Sequence, residues 1–253
     1  MKLFLKFIII LVLSTSISAR EKGETEITTE DGIEVFQNQK YYLLKKNVTI
    51  ISDAFSLNAD DVKINFDKSL YDIVEINAEG NVDFKTSEFK MAGNGERLKF
   101  EVNKEKLKVE GIGSELITTE TKMYSDGYIE VNNIDGNFSL EGSNSRLINE
   151  SILIEAKSIK GIFSNIKDNK EVIFLNVFDK KQSYVKNNET EMYANNIIFD
   201  KEISLIELID NVIIIRDGEK ITGDYGTLDT KNNSYKIKSN DQTKVKVIIQ
   251  NDE

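Results

Sequence analysis

The chain has no histidine, no cysteine, no tryptophan and no proline. Without His and Cys there is no imidazole acid/base pair, no thiol nucleophile, no disulfide and no zinc site of the Cys/His type. What is left for chemistry is carboxylate: 43 acidic residues against 33 basic, a net charge of −10. Asp/Glu pairs of the glycosidase kind and calcium loops therefore survive on inventory, but acidic turns such as Asn58-Ala59-Asp60-Asp61 lack the regular oxygen-ligand spacing of a calcium loop. No catalytic, cofactor-binding or metal-ligating residue is assigned, so the chain is not read as an enzyme. An acidic balance also argues against a nucleic-acid partner, which needs a basic footprint to replace counterions on phosphate. What is present is 40% hydrophobic residues in 253, enough for a sizeable core.

Residues 1–19, MKLFLKFIIILVLSTSISA, carry Lys2 and Lys6, then an apolar run from Phe7 to Leu13, then small residues ending at Ala19. This is the pattern of a cleaved secretory signal peptide, and seven apolar residues fall short of the roughly 20 that span a membrane. Loss of the two lysines would take the net charge from −10 to −12. An exported chain without disulfides must rely on packing and sheet hydrogen bonds.

Beyond residue 19, alternation of apolar and polar residues dominates the chain. Val62, Ile64 and Phe66 are separated by Lys63 and Asn65, and Leu98 and Phe100 by Lys99. Period two predicts half-buried strands, and the chain reads as all-β. Ile203, Leu205, Ile206, Leu208 and Ile209 also suit one side of a short helix, but they hold the place of Ile73, Val74 and Ile76 in an earlier unit and are read as strand. Glu79-Gly80-Asn81, Asp126-Gly127, Asp135-Gly136, Asp217-Gly218 and Lys231-Asn232-Asn233 are turn or corner signals. Glycines in GNGERL (93–98) and GIGS (111–114) sit before strands, not helices, so they suit sheet corners and not a phosphate loop. Small or acidic pivots at Ala59, Gly95, Ser125, Ala156, Ala194 and Gly223 open about six irregular repeats, 29 to 38 residues apart. The drift suits stacked strand pairs better than propeller blades or a parallel β-helix. No linker divides the chain, and residues 20–253 read as one domain.

The stretch Ala78-Glu79-Gly80-Asn81-Val82, with DNVIII at Asp210 to Ile215 and ITGDYGTLDT at Ile221 to Thr230, resembles the repeat of the LptA/OstA-type lipopolysaccharide transport proteins. The pattern covers most of Asn47 to Asn240 and is thinnest between Ser114 and Lys170. The resemblance implies a periplasmic, antiparallel β-jellyroll opened into a twisted, two-leaved V. It implies head-to-tail assembly with itself and with inner-membrane-anchored and outer-membrane partners of the same fold, and the acyl chains of lipid A held in an apolar groove. The chain is longer than the usual single-module member, and it reads either as the soluble bridge or as a relative of the membrane-anchored branches. On this resemblance the groove lining is assigned to Val62, Ile64, Phe66, Val82, Phe84, Leu98, Phe100, Ile197, Phe199, Val212 and Ile214. The assembly edges fall within Thr25 to Phe36 and Thr243 to Gln250, on Ile27, Ile33 and Val35 at one end and Val245, Val247 and Ile249 at the other. Lys244 and Lys246 beside the second edge also read as gatekeepers against wrong pairing. Two rival readings stay open: a structural or adhesive β-repeat with a filled core, and a β-helix carbohydrate-active enzyme.

Overall fold

The computed structural model describes residues 23–149, 152–164, 171–232, 234–240 and 244–249; the signal-peptide reading and Thr243 and Gln250 lie outside them. The described chain is all-β apart from one 3-10 turn at Val102–Lys104. Its strands are β1 Glu26–Thr28, β2 Ile33–Phe36, β3 Tyr41–Ile51, β4 Phe55–Phe66, β5 Ile73–Thr86, β6 Met91–Glu101, β7 Lys106–Glu110, β8 Ser114–Ile117 and β9 Thr121–Ser125. They continue as β10 Tyr128–Asn132, β11 Asn137–Asn149, β12 Ile152–Phe163, β13 Val172–Asn187, β14 Thr190–Asp200, β15 Leu205–Arg216, β16 Glu219–Asp229, β17 Ser234–Lys238 and β18 Lys246–Ile249. All eighteen belong to one antiparallel sheet. No helix among the described residues is long and apolar enough to cross a membrane.

Nearly every long strand changes register once, close to its middle: between Lys45 and Val48 in β3, Glu79 and Val82 in β5, Phe178 and Ser183 in β13, and Ile209 and Val212 in β15. A bulge bends a strand, and bulges aligned on successive strands fold the whole sheet along a line. The crease divides each strand into a half in a first leaf and a half in a second. β1 with β2, β7 with β8, β9 with β10 and β17 with β18 are strands broken outright at this line, since each pair shares one neighbour. Eight of the eighteen strands are thus halves of four, and fourteen creased strands stack to a length of about 60 Å at about 4.8 Å each.

The crease explains the pivots. Ala59, Gly95, Ser125, Ala156, Ala194 and Gly223 all stand where a strand enters or leaves it, and Val48, Val82, Ser114, Ser145, Ser183 and Val212 occupy the same place on the strands between. The two leaves converge there, which leaves room only for small side chains. The buried serines are satisfied locally: Ser125 Oγ donates to the Glu141 carbonyl at 2.7 Å, Ser114 Oγ to Gly111 at 2.8 Å and Ser183 Oγ to Asn195 at 3.2 Å. On the outside the same line is polar, with Asn211 Nδ2 donating to Asn195 Oδ1 at 2.6 Å and Asn195 Nδ2 to the Lys180 carbonyl at 2.8 Å.

The turn signals accordingly divide into two kinds. Asp135-Gly136 and Asp217-Gly218 join strands, and so does Lys231-Asn232, whose neighbour Asn233 is outside the described residues. Glu79-Gly80-Asn81 lies inside β5 and Asp126-Gly127 between the halves β9 and β10, so these two mark the crease. Residues 203–209 are not helical: Leu205 to Ile209 open β15.

Inward residues of both leaves form one core. In its middle the halves β7/β8 and β9/β10 lie between the unbroken strands β6 and β11, each of which crosses the crease and joins both leaves. Here Val109, Leu116, Met123, Ile129 and Leu140 pack between the leaves and are all at most 1% exposed. The space between the leaves varies along the sheet. It is filled at the waist, and on either side of the waist the leaves part around a cavity.

Candidate functional site: an apolar cavity between the leaves

The first cavity, about 660 Å³, lies between the leaves on the N-terminal side of the waist. Ile27, Ile50, Phe55 and Phe89 reach it from one leaf, and Tyr42, Ile64, Ile73, Ile76 and Phe100 from the other. The alternation that makes β3, β4, β5 and β6 half-buried strands delivers these side chains to a common interior. On the waist side the leaves touch through aromatic rings: Phe100 lies 6.5 Å from Phe55 in a near-parallel stack and 6.2 Å from Phe89 edge-on. The hairpin carrying Phe89 is held by Thr86, whose buried Oγ1 accepts from the Phe89 amide at 3.2 Å. Burial pushes the Tyr42 phenol above its ordinary pKa, so it lines the cavity as a neutral group.

Charge stays on the outer faces. Glu75 accepts from Asn77 Nδ2 at 2.8 Å and Asn65 Nδ2 at 2.9 Å and pairs with Lys99 at 3.0 Å, and the Asn77 bond, foremost among these, holds its carboxyl below the usual range. No group of three or more Asp and Glu side chains among the described residues is arranged to hold a metal ion. The cavity has the makings of a solvent for hydrocarbon, with no nucleophile or acid/base pair built into its wall.

Of the residues assigned to a groove, Ile64 and Phe100 line this cavity, while Ile197 and Phe199 line a second one beyond the waist. Val62, Phe66, Val82, Phe84, Leu98, Val212 and Ile214 are buried in the core and border neither. The sequence reading passed over Tyr42, Phe55, Ile73 and Phe89. Phe55 and Phe89 sit against the turns Ser52-Asp53-Ala54 and Thr86-Ser87-Glu88, where alternation is weakest; a bulky apolar residue embedded in turn residues was the available signal.

At the two ends of the sheet, β1 and β2 pair only with β3, and β17 and β18 only with β16, among the described residues. Ile33 and Val35 are about half exposed and, like the more buried Ile27, border the first cavity; Val245 and Val247 are also about half exposed, and Ile249 is 63% exposed.

The described residues form a creased all-β sheet that encloses apolar space. Residues 26–136, which build most of the first cavity and of the waist, match the family described as LptA/(LptD N-terminal domain) LPS transport protein. The AEGNV motif falls within the match, and its DNV counterpart at 210–212 falls beyond it. Among solved structures, LptH, the LptA homologous periplasmic component of the lipopolysaccharide transport device from Pseudomonas aeruginosa, aligns at 11% identity over 90% of this chain and 96% of that one, with a TM-score of 0.23. No curated protein matches the sequence.

Proposed function

We propose that the protein is an exported, periplasmic component of lipopolysaccharide transport that shelters acyl chains of lipid A between its leaves and extends the path lengthwise by pairing its terminal strands with like subunits. The observation that carries this reading is the apolar cavity inside the family-matched segment. Hiding a 12-carbon chain from water is worth about 10 kcal/mol at about 0.8 kcal/mol per methylene, so apolar burial outweighs any attraction between an anionic glycolipid and an acidic protein. The exposed apolar residues of β2 and of 245–249 lie on strands with an unused side, the arrangement that accepts a further strand. In this reading residues 20–253 work as one unit, joined to inner- and outer-membrane partners of the same fold.

A photo-crosslinker at Ile76 or Phe100, compared with one at the outward Lys63 or Lys99, tests the reading with lipopolysaccharide as the probe. Labelling from the inward pair alone is the expected result; equal labelling from both faces, or none, overturns it. The filled waist favours a second reading, a structural β-repeat protein, for which no interior position would label.

A further inference from the structure

The second cavity differs from the first in place and in chemistry. It has a volume of about 510 Å³ and is lined by residues from Glu120 to Lys231, almost wholly outside the family-matched stretch. Leu175, Val177, Val185, Ile197, Phe199 and Ile206 make an apolar floor from both leaves. Its rim is polar where the first cavity's is nearly uncharged. Lys201, ion-paired with Glu171, stands on it together with Lys231, Ser204 and Thr230, whose Oγ1 donates to the Ser204 carbonyl at 3.1 Å. From the other leaf comes Asn149, only 9% exposed, whose Nδ2 donates to Thr121 Oγ1 at 2.7 Å and to the Glu120 carbonyl at 3.3 Å. The filled waist lies between the two cavities.

We infer that this second cavity is a separate site for a single-chain amphiphile, its hydrocarbon tail on the apolar floor and a hydrogen-bonding head group at the Lys201–Glu171 rim. An apolar floor with a few convergent polar groups at the mouth matches the make-up of small-molecule sites, and the volume lies within their usual range of about 300–1,000 Å³. A tail alone would make no contact with the polar rim, whereas a charged head can share the Lys201–Glu171 pair and exchange its water for Lys231 and the rim hydroxyls. The first cavity, whose only charged lining residue is Glu88, offers no such exchange. The inference rests on the proposal that the protein binds lipid, and adds a second, independently loaded site.

The test uses the whole secreted chain with two diazirine-tailed probes of equal length, a lysophosphatidylcholine and a fatty alcohol, with cross-linked peptides mapped by mass spectrometry. Label is expected in both the 50–100 and the 172–206 regions, with two probes per chain at saturation. At the second site the phospholipid is expected to bind about fivefold tighter than the alcohol, the effect of one net hydrogen bond, with little preference at the first. Val177→Phe, which fills the second cavity, is expected to reduce loading to one probe while Ile73→Trp blocks the other, each with the wild-type β-sheet circular dichroism. Label confined to 50–100, at one probe per chain, overturns the second site; equal affinity for the two probes there overturns the head-group assignment. Failure of the lipid reading itself would look different, with no probe bound at either place.

Discussion

Asn81, in a left-handed conformation with φ of 48°, donates its side-chain amide to both carboxylate oxygens of Asp60 at 3.1 and 3.0 Å, tying β5 to β4 across the outside of the crease. Gly80 beside it has φ of 74°, and a Cβ there would fall 2.2 Å from Asp60 Oδ2. Gly80→Ala is therefore expected to cost about 1–3 kcal/mol from both backbone strain and the clash. Asp60→Ala removes the contacts to Oδ2 and Cγ but keeps the Asp60 Cβ, 2.8 Å away, and the strain, so the double variant should lose less than the sum of the two single losses. Urea unfolding of the four proteins measures the coupling, and strict additivity would count against the contact.

The waist and the first cavity predict different responses to truncation. Leu140 is fully buried among close-packed neighbours, and Leu140→Ala should cost about 2–5 kcal/mol. Ile73 borders space already open, so Ile73→Ala should cost less than half as much. Denaturation midpoints compare the two directly.

Acid should weaken the sheet partly through Glu75. Its hydrogen bond from Asn77 and its pair with Lys99 lower the native pKa below the ordinary 4.5. Above that value the native and unfolded states are both ionised and the stabilisation is fully present. As pH falls below it the unfolded state takes up the proton first, and the contribution disappears once pH passes through the native value. Glu75→Gln should flatten this part of the stability profile below the ordinary carboxylate range while the remaining carboxylates keep theirs.

Tyr193 gives the opposite limb. Burial, and then its hydrogen bond to Glu191 at 3.1 Å, push its pKa from 10.0 to about 12. Above about pH 10 the unfolded chain loses this proton while the native chain keeps it, so stability should fall as pH rises toward about 12. Absorbance titration of the phenolate band should show the ionisation near pH 12 lost in Tyr193→Phe, while the other raised tyrosines keep theirs.

The fold was legible because its two determinants are local. Alternation in stretches such as Val62-Lys63-Ile64 marks strands, and the left-handed pairs Lys46-Asn47, Gly80-Asn81 and Asp210-Asn211, each followed by an inward valine, mark the crease. The same local reading mistook Glu79-Gly80-Asn81 for a strand boundary, because a bulge and a turn ask for the same residues. The cavities were harder to see. Val82 and Phe100 are both inward residues of alternating strands, yet Val82 is buried in the core and Phe100 is only partly buried beside the cavity, a difference that alternation does not encode. The splitting of β7/β8 and β9/β10 at the crease shows only in the pairings of each half with its neighbours, which no single strand encodes.

Apart from the split halves, each strand bonds to its immediate predecessor and successor in the chain. Interactions that reach no further than the next neighbour make length a free variable: a hairpin inserted or deleted as a unit leaves the cross-section of the stack unaltered. Such a scaffold can be elongated or shortened in evolution by tandem duplication or loss, provided that the alternation of inward and outward side chains is preserved at the seam.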